Sequence, residues 1–222
     1  MTFTLYMVRH GQTLLNSYNR LQGWCDSPLT TKGLNDAQSA GKHLAQIKFD
    51  HAFHSDTTRA TRTCQFILAQ NKHSSTLVPQ ELKYFREQSF GYFEGNDAAQ
   101  TWLMVGALHG CRTYNDILEK YGLGMTRDLL HETDPFKDAE DDAKYWARLD
   151  AGFDYLRTHI PEGENVLLVS HSITIRSIVD RFAKDLGADR LGPKNGAVTK
   201  LIVSKDDVKV KYYNHYLDNE TY

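Results

Sequence analysis

Two histidines, each delivered by a short apolar run, are the residues best placed to do chemistry in this chain. Arg9-His10-Gly11 follows the run Phe3 to Val8, and His171 follows Val166 to Val169 and Ser170. In α/β proteins ligands collect at the carboxyl ends of strands, where loops lead into helix N-termini. An arginine beside an imidazole suits an anion there, because guanidinium is planar, always charged and matched to phosphate oxygens. Gly11, without a Cβ, would let a phosphate approach the backbone. Phosphate chemistry on histidine is the sharp reading. On the tripeptide alone, a surface arginine beside a hydrogen-bonded structural histidine fits equally well.

Two further segments point to the same edge. Ser55-Asp56-Thr57-Thr58-Arg59-Ala60 follows a short strand and opens a helix, with Ser55-Asp56 as its cap, so Arg59 falls in a first turn. A cation there opposes the helix dipole, and an anion nearby would offset it. Arg62, one turn later, reads as solvated. Val169-Ser170-His171-Ser172 opens another helix, whose first amides would face the pocket. Arg176 on that helix reads as a salt-bridge partner.

The elements that must position these residues alternate. After Phe3–Val8, Thr30-Thr31 caps a helix with the stripe Leu34, Ala37, Gly41, Leu44 and Ala45. His51–His54 reads as a strand, the next helix runs to about Gln70, and Thr76–Pro79 reads as extended. Periodicity loosens over Asp97–Asp134, where glycines 106, 110, 122 and 124 intervene. That stretch is expected to be a cap of short helices inserted in one domain spanning residues 1–222, with Trp102, Met104 and Leu108 as its small core or, alternatively, as contacts for a substrate's leaving group. A helix bearing Trp146, Leu149, Phe153 and Leu156 precedes the strand Asn165–Ser170. Ile175, Ile178, Val179 and Phe182 stripe the next helix, and Val198–Ser204 with Val208–Tyr213 form a hairpin. The implied fold is a three-layer α/β/α arrangement with a mainly parallel sheet and an antiparallel edge.

Composition narrows the function. The chain has 222 residues and a net charge of −2, with basic residues dispersed, which argues against nucleic-acid or membrane-surface partners. Cys25, Cys64 and Cys111 are widely spaced, which fits small buried hydrophobes rather than disulfides or a zinc site. No targeting segment or bilayer-length run is evident, so a cytoplasmic location is expected. His51 and His54, three apart on a strand, cannot chelate together. There is no H-E-x-x-H and no D-x-D. Gly187 to Gly192 has P-loop spacing, but Pro193 intrudes before Lys194.

Taken together, the blocks resemble the histidine phosphatase superfamily, in its phosphoglycerate-mutase-like branch. They are Leu5 to Thr13 with Asn16; Leu21-Gln22-Gly23-Trp24 with Asp26 to Thr30; and Ser55-Asp56 with Arg59-Ala60 and Thr63. Phe85-Arg86-Glu87, Phe90-Gly91, Glu94-Gly95 and Val169-Ser170-His171 with Ile175-Arg176 complete the set in order. The resemblance implies that His10 is a nucleophile passing through a phosphohistidine. It implies that Arg9, Arg59 and His171 complete a phosphate pocket and that Asn16, Gln22 and Gly23 line it. Glu87 would be the proton donor and later the base, unless it merely pairs with Arg86. Ser172 stands in that pocket where the family usually has glycine; it can cap the helix but narrows the backbone approach.

The expected activity is metal-independent hydrolysis of a small phosphorylated metabolite, with no cofactor. As the resemblance is understood, mutases carry a longer basic segment after the acid-bearing block, and Asn96-Asp97-Ala98-Ala99-Gln100 has none. A phosphoglycerate mutase is the alternative, and a catalytically idle phosphate-binding protein on the same fold is the third.

Overall fold

The protein is described from a computed structural model covering residues 2–188 and 191–222. The P-loop-like spacing between Gly187 and Gly192 includes residues 189 and 190, which lie outside the described residues.

Strand β1 (Thr2–Arg9) alternates between two apolar layers, with Leu5 and Met7 in one core and Tyr6 and Val8 in the other. A strand buried on both faces belongs in the middle of a sheet. β1 pairs in parallel with β4 (Asn165–Ser170) and antiparallel with β5 (Val198–Ser204). β2 (His51–His54) pairs in parallel with β4 and with β3 (Gln80–Glu81). β6 (Val208–His215) closes the antiparallel edge, giving the order β3-β2-β4-β1-β5-β6.

Helices cover both faces. After the short α1 (Leu14–Ser17), α2 (Thr31–His43) and α3 (Thr58–Gln70) bury Ala40, Ala60, Cys64 and Ile67 against one side of the sheet. α6 (Asp142–His159) and α7 (Ser172–Phe182) bury Leu149, Phe153, Leu156, Ile175, Ile178 and Val179 against the other. The stripes of α6 and α7 face the sheet, and burial of each large apolar side chain contributes roughly 1.5–3 kcal/mol. α2 puts Ala40 and Leu44 into the opposite core, and its Gly41 faces Gln70 of α3. The three-layer α/β/α fold follows.

Between β3 and α6 lie α4 (Ala98–Ala107) and α5 (Tyr114–Thr133), which share a third cluster with Leu21, Phe90 and Phe93. Gly122 breaks α5 with φ 75° and ψ 176°, a conformation that favours glycine. Trp102 belongs to the third cluster, but Met104 and Leu108 do not: Leu108 is 95% exposed. Met104 is exposed on the face of α4 turned away from the cluster, beside exposed Leu103, and Leu108 follows the end of the helix.

Three local expectations are corrected. The extended piece read at Thr76–Pro79 joins the sheet only beyond its end, as Gln80–Glu81; the pairing of Phe53 and His54 falls there, and Pro79 has no N–H to offer a ladder. Thr57, not Ser55-Asp56, is the N-cap of α3, and its side chain makes no capping bond. The role expected for Gly11 also changes. A Cβ on Gly11 would sit 2.1 Å from the Gly33 carbonyl, and one on Gly33 would sit 2.0 Å from the Gln12 carbonyl. The two glycines let the loop after β1 rest directly on the start of α2. Among the described residues no helix is long and apolar enough to cross a membrane, and no group of His, Cys, Asp or Glu is arranged to hold a metal ion.

Candidate active site

Parallel pairing of β1 and β4 sets Arg9 opposite Ser170. The residues that follow are therefore brought together: the rings of His10 and His171 lie 5.1 Å apart at 62°. His10 is buried, and its Nδ1 is 2.7 Å from the Gly11 carbonyl. A carbonyl only accepts, so Nδ1 carries the proton and Nε2 keeps its lone pair while the ring is neutral. Burial, with Arg59 and Arg9 nearby, holds the His10 pKa well below its usual value. The loop is tied down by Gly11 N–H to Thr63 Oγ1 (3.1 Å) and by Asn195 Nδ2 to the His10 carbonyl (2.9 Å).

The tautomer of His171 is set the opposite way. Arg59 Nη2 donates toward His171 Nδ1 at 3.2 Å, leaving Nε2–H to donate to Ser55 Oγ at 2.6 Å. Burial, Arg59 and His10 also hold His171 well below its usual pKa. Both imidazoles are thus kept neutral.

Arg59 lies in the first turn of α3, as the sequence suggested, and is fully buried there. Its guanidinium donates to the carbonyls of Gly23 (2.6 Å) and Cys25 (2.8 Å) and to Asp26 Oδ1 (3.1 Å). Asp26 also accepts the Thr58 amide, so this carboxylate supplies the anion that the start of α3 called for. Arg9 donates to the Pro193 carbonyl at 2.6 Å. The Nε atoms of Arg9 and Arg59 are buried and, among the described residues, have no hydrogen-bond partner. An unmet buried donor costs about 1–3 kcal/mol, so an anion's oxygens would be welcome there.

Glu87 meets the same centre from the segment after β3. One carboxylate oxygen accepts the amides of Gln88 and Thr174 and the Thr174 hydroxyl; the other accepts the Ile173 amide at 2.9 Å. The first amides of α7, expected to face a pocket, are therefore occupied by this side chain. Burial raises the Glu87 pKa, while the Ile173 and Gln88 amides pull it back. Its alternative partner Arg86 is committed elsewhere, to Asp56 and to the face of Trp24 at 4.5 Å. Arg148 braces the segment, pairing with Glu140 at 2.7 Å and donating to the carbonyls of Tyr84, Arg86 and Glu87. Glu140 is buried in this clamp, and Asp141, the next residue, is the N-cap of α6.

The remaining expected pocket residues are nearby with varied engagements. Asn16 forms a capping box with Thr13, and the Thr13 hydroxyl donates to Gln22 at 2.5 Å. Gly23 supplies a carbonyl to Arg59. Ser172 is the first residue of α7, not its cap: His171 holds the cap position, and Glu87 does the capping. Arg176 is buried, donates to the Ala188 carbonyl and lies over the Tyr114 ring at 5.7 Å. Cys25 is no nucleophile, its thiol being pushed up to about 12 by burial and by Glu94.

Several contributors were not identified as such from the sequence. Asp26, Ser55, Glu94, Glu140, Arg148 and Asn195 act through contacts between distant segments. Only membership of the matched blocks pointed to the first three, and nothing in local pattern marked the others.

Comparison with known proteins follows the same lines. The family model described as histidine phosphatase superfamily (branch 1) matches residues 5–106 and 103–215. A 2,3-bisphosphoglycerate-dependent phosphoglycerate mutase of Sinorhizobium fredii is 34% identical over 198 residues, covering 83% of each chain. A fructose-2,6-bisphosphatase TIGAR of Bos taurus is 29% identical over 212 residues, covering 83% of this chain and 78% of that one. A crystal structure of phosphoglycerate mutase from Bacillus anthracis superposes with a TM-score of 0.89 at 33% identity, covering 96% of this chain and 93% of the other.

Proposed function

Because the chain belongs to branch 1 of the histidine phosphatase superfamily, we propose that it hydrolyses a small phosphomonoester through a phosphohistidine on His10, without a metal ion. The observation that carries the proposal is the His10 ring. Its Nδ1–H is spent on the Gly11 carbonyl, its pKa is depressed, and its Nε2 lone pair stands among arginines. Nε2 attacks phosphorus in line with the ester oxygen. Arg9 and Arg59 neutralise charge on the phosphoryl oxygens, which is the main task in this chemistry. Their unpaired Nε donors favour that use. His171 accepts from Arg59 Nη2 and so helps to hold that guanidinium against the phosphoryl group.

The ester oxygen leaves with a proton from Glu87, whose raised pKa favours the protonated form that the step requires. Water then attacks the phosphohistidine, giving its proton to the Glu87 carboxylate, and the phosphorus–nitrogen bond breaks to free His10 and inorganic phosphate. Hydrolysis is preferred to transfer because Asn96-Asp97-Ala98-Ala99-Gln100, directly after the acid-bearing segment, contains no lysine or arginine to retain an acidic substrate for a second transfer. The second reading, a phosphoglycerate mutase, is favoured by relatives of that name at 33–34% identity.

Incubation with 3-phosphoglycerate separates the two. Release of inorganic phosphate, or inertness beside activity on other esters, is expected. Rapid formation of 2-phosphoglycerate, stimulated by 2,3-bisphosphoglycerate, would establish the mutase instead.

A further inference from the structure

Glu94 lies outside the set of residues assigned to the reaction, yet two segments converge on its carboxylate. Oε1 accepts the amides of Trp24 (2.8 Å) and Phe90 (3.0 Å), and Oε2 accepts those of Gly23 (3.0 Å) and Cys25 (3.1 Å). Among the described residues no lysine, arginine or histidine forms an ion pair with it. Four backbone donors replace a counter-ion. Such bonds to an ionised acceptor are about twice as strong as neutral ones.

The Gly23–Trp24 peptide shows what this arrangement accomplishes. A trans peptide points its C=O and its N–H in opposite directions. The N–H of this peptide meets Glu94, and the C=O meets Arg59 Nη2 at 2.6 Å. The same Nη2 reaches His171 Nδ1 at 3.2 Å. One line of hydrogen bonds therefore runs from Glu94 through a peptide plane to Arg59 and His171. The Cys25 carbonyl fixes the other terminal nitrogen of Arg59 at 2.8 Å. Gly23 has no slack: a Cβ there would lie 2.5 Å from Glu94 Oε1 and 2.0 Å from the Gln88 carbonyl.

We propose that Glu94 is a positioning residue for phosphate capture: it orients the 23–25 loop, and the loop carbonyls aim the Arg59 guanidinium. The inference rests on the reading of Arg59 as a phosphate ligand. Glu94 touches no reacting atom. In Glu94→Gln one acceptor becomes an NH2 group that opposes two amide N–H groups, so the peptide plane turns and Arg59 loses its aim. Glutamine keeps the size of glutamate, so only the acceptor pattern changes.

The test uses 15N-arginine-labelled full-length protein and inorganic phosphate as the probe. Resolved guanidinium NH2 signals report rotation slowed by hydrogen bonds; those of Arg59 are assigned by their loss in Arg59→Lys. Arg127 and Arg148, paired with Asp142 and Glu140, are internal controls. In Glu94→Gln the Arg59 signals should collapse while the controls persist, and phosphate should bind about tenfold to a hundredfold more weakly, as expected for a misaligned group. Unchanged Arg59 signals, or unchanged phosphate affinity, would overturn the proposal. Should Glu94→Gln not fold, with the controls lost too, Glu94→Asp, which keeps the carboxylate but withdraws it by one methylene from the four amides, is judged by the same two measurements. If Arg59→Lys binds phosphate like the wild type, the phosphate role of Arg59 fails and the proposal falls with it. A lack of turnover on every ester, with phosphate binding intact, would count against the hydrolase reading alone.

Discussion

His10 and His171 are folded as neutral rings, and this has a sign that titration can check. Their folded pKa values lie well below the ordinary 6.5. Below about pH 6.5 the unfolded chain therefore binds protons that the folded chain refuses, and stability falls as pH falls, by up to about 1.4 kcal/mol per pH unit for each ring. Glu87 acts oppositely: above 4.5 and below its raised folded value, the folded chain holds a proton that the unfolded chain has released, so its contribution falls as pH rises. Two rings outweigh one carboxyl. The melting temperature should drop between pH 7 and 5.5, and His10→Ala should drop less steeply. That variant should also lose all turnover and the acid-labile, base-stable phosphoenzyme seen by rapid quench. Glu87→Gln should slow single-turnover cleavage of an alkyl phosphate by about a hundredfold to ten-thousandfold. It should slow p-nitrophenyl phosphate far less, since that leaving group needs no proton; equal losses would remove Glu87 from the acid role. At this scale the sequence was most legible where a side chain acts in its own right. His10, Arg59 and His171 announce themselves by type and by position at strand ends or helix starts. Asp26 and Glu94 do not: Glu94 meets only backbone amides, which leave no trace in residue type, and Asp26 meets Thr58 and Arg59 more than thirty residues along the chain.

The elements were legible wherever burial imposes a period. The stripes on α2, α6 and α7 were recoverable because each helix buries one face and leaves the other in solvent. The runs in β1 and β4 stood out because both faces are buried. β3 escaped because two exposed residues on a sheet edge carry no apolar pattern. The 97–134 segment looked irregular because α4 and α5 pack on one another and on Leu21, Phe90 and Phe93, not on the sheet, and Gly122 interrupts the period. Close contact between elements was also invisible. Gly33 reads as a poor residue for the first turn of a helix, yet its missing Cβ lets α2 meet the loop that carries His10. Gly33→Ala would place a carbon 2.0 Å from the Gln12 carbonyl, and backbone must move. A loss of about 1–3 kcal/mol in stability is expected from such overpacking. The loop shift should lower turnover even at temperatures where the variant is fully folded. Denaturant unfolding paired with a phosphate-release assay checks both; wild-type values in each would refute the packing argument.

For the molecule as a whole, positive charge at the site comes from arginines. EDTA should leave phosphate release unchanged and vanadate should inhibit, since its pentacoordinate form seeks the same donors. Activity lost to EDTA and restored by a divalent ion would assign the chemistry to a metal.

The strand order carries a consequence for synthesis. β4 sits between β1 and β2, so the two earlier strands cannot pair with each other and must wait for a strand emerging roughly 160 residues after the first. At about 5–20 residues per second that wait lasts roughly ten to thirty seconds. Throughout it, the apolar faces of β1 and β2 have no finished sheet, and His10 has no His171. The nascent chain thus carries open strand edges through most of its manufacture, an invitation to wrong partners and a demand on holding chaperones. Anion binding, by the same geometry, should switch on abruptly, when a late strand slides home between two that have been waiting.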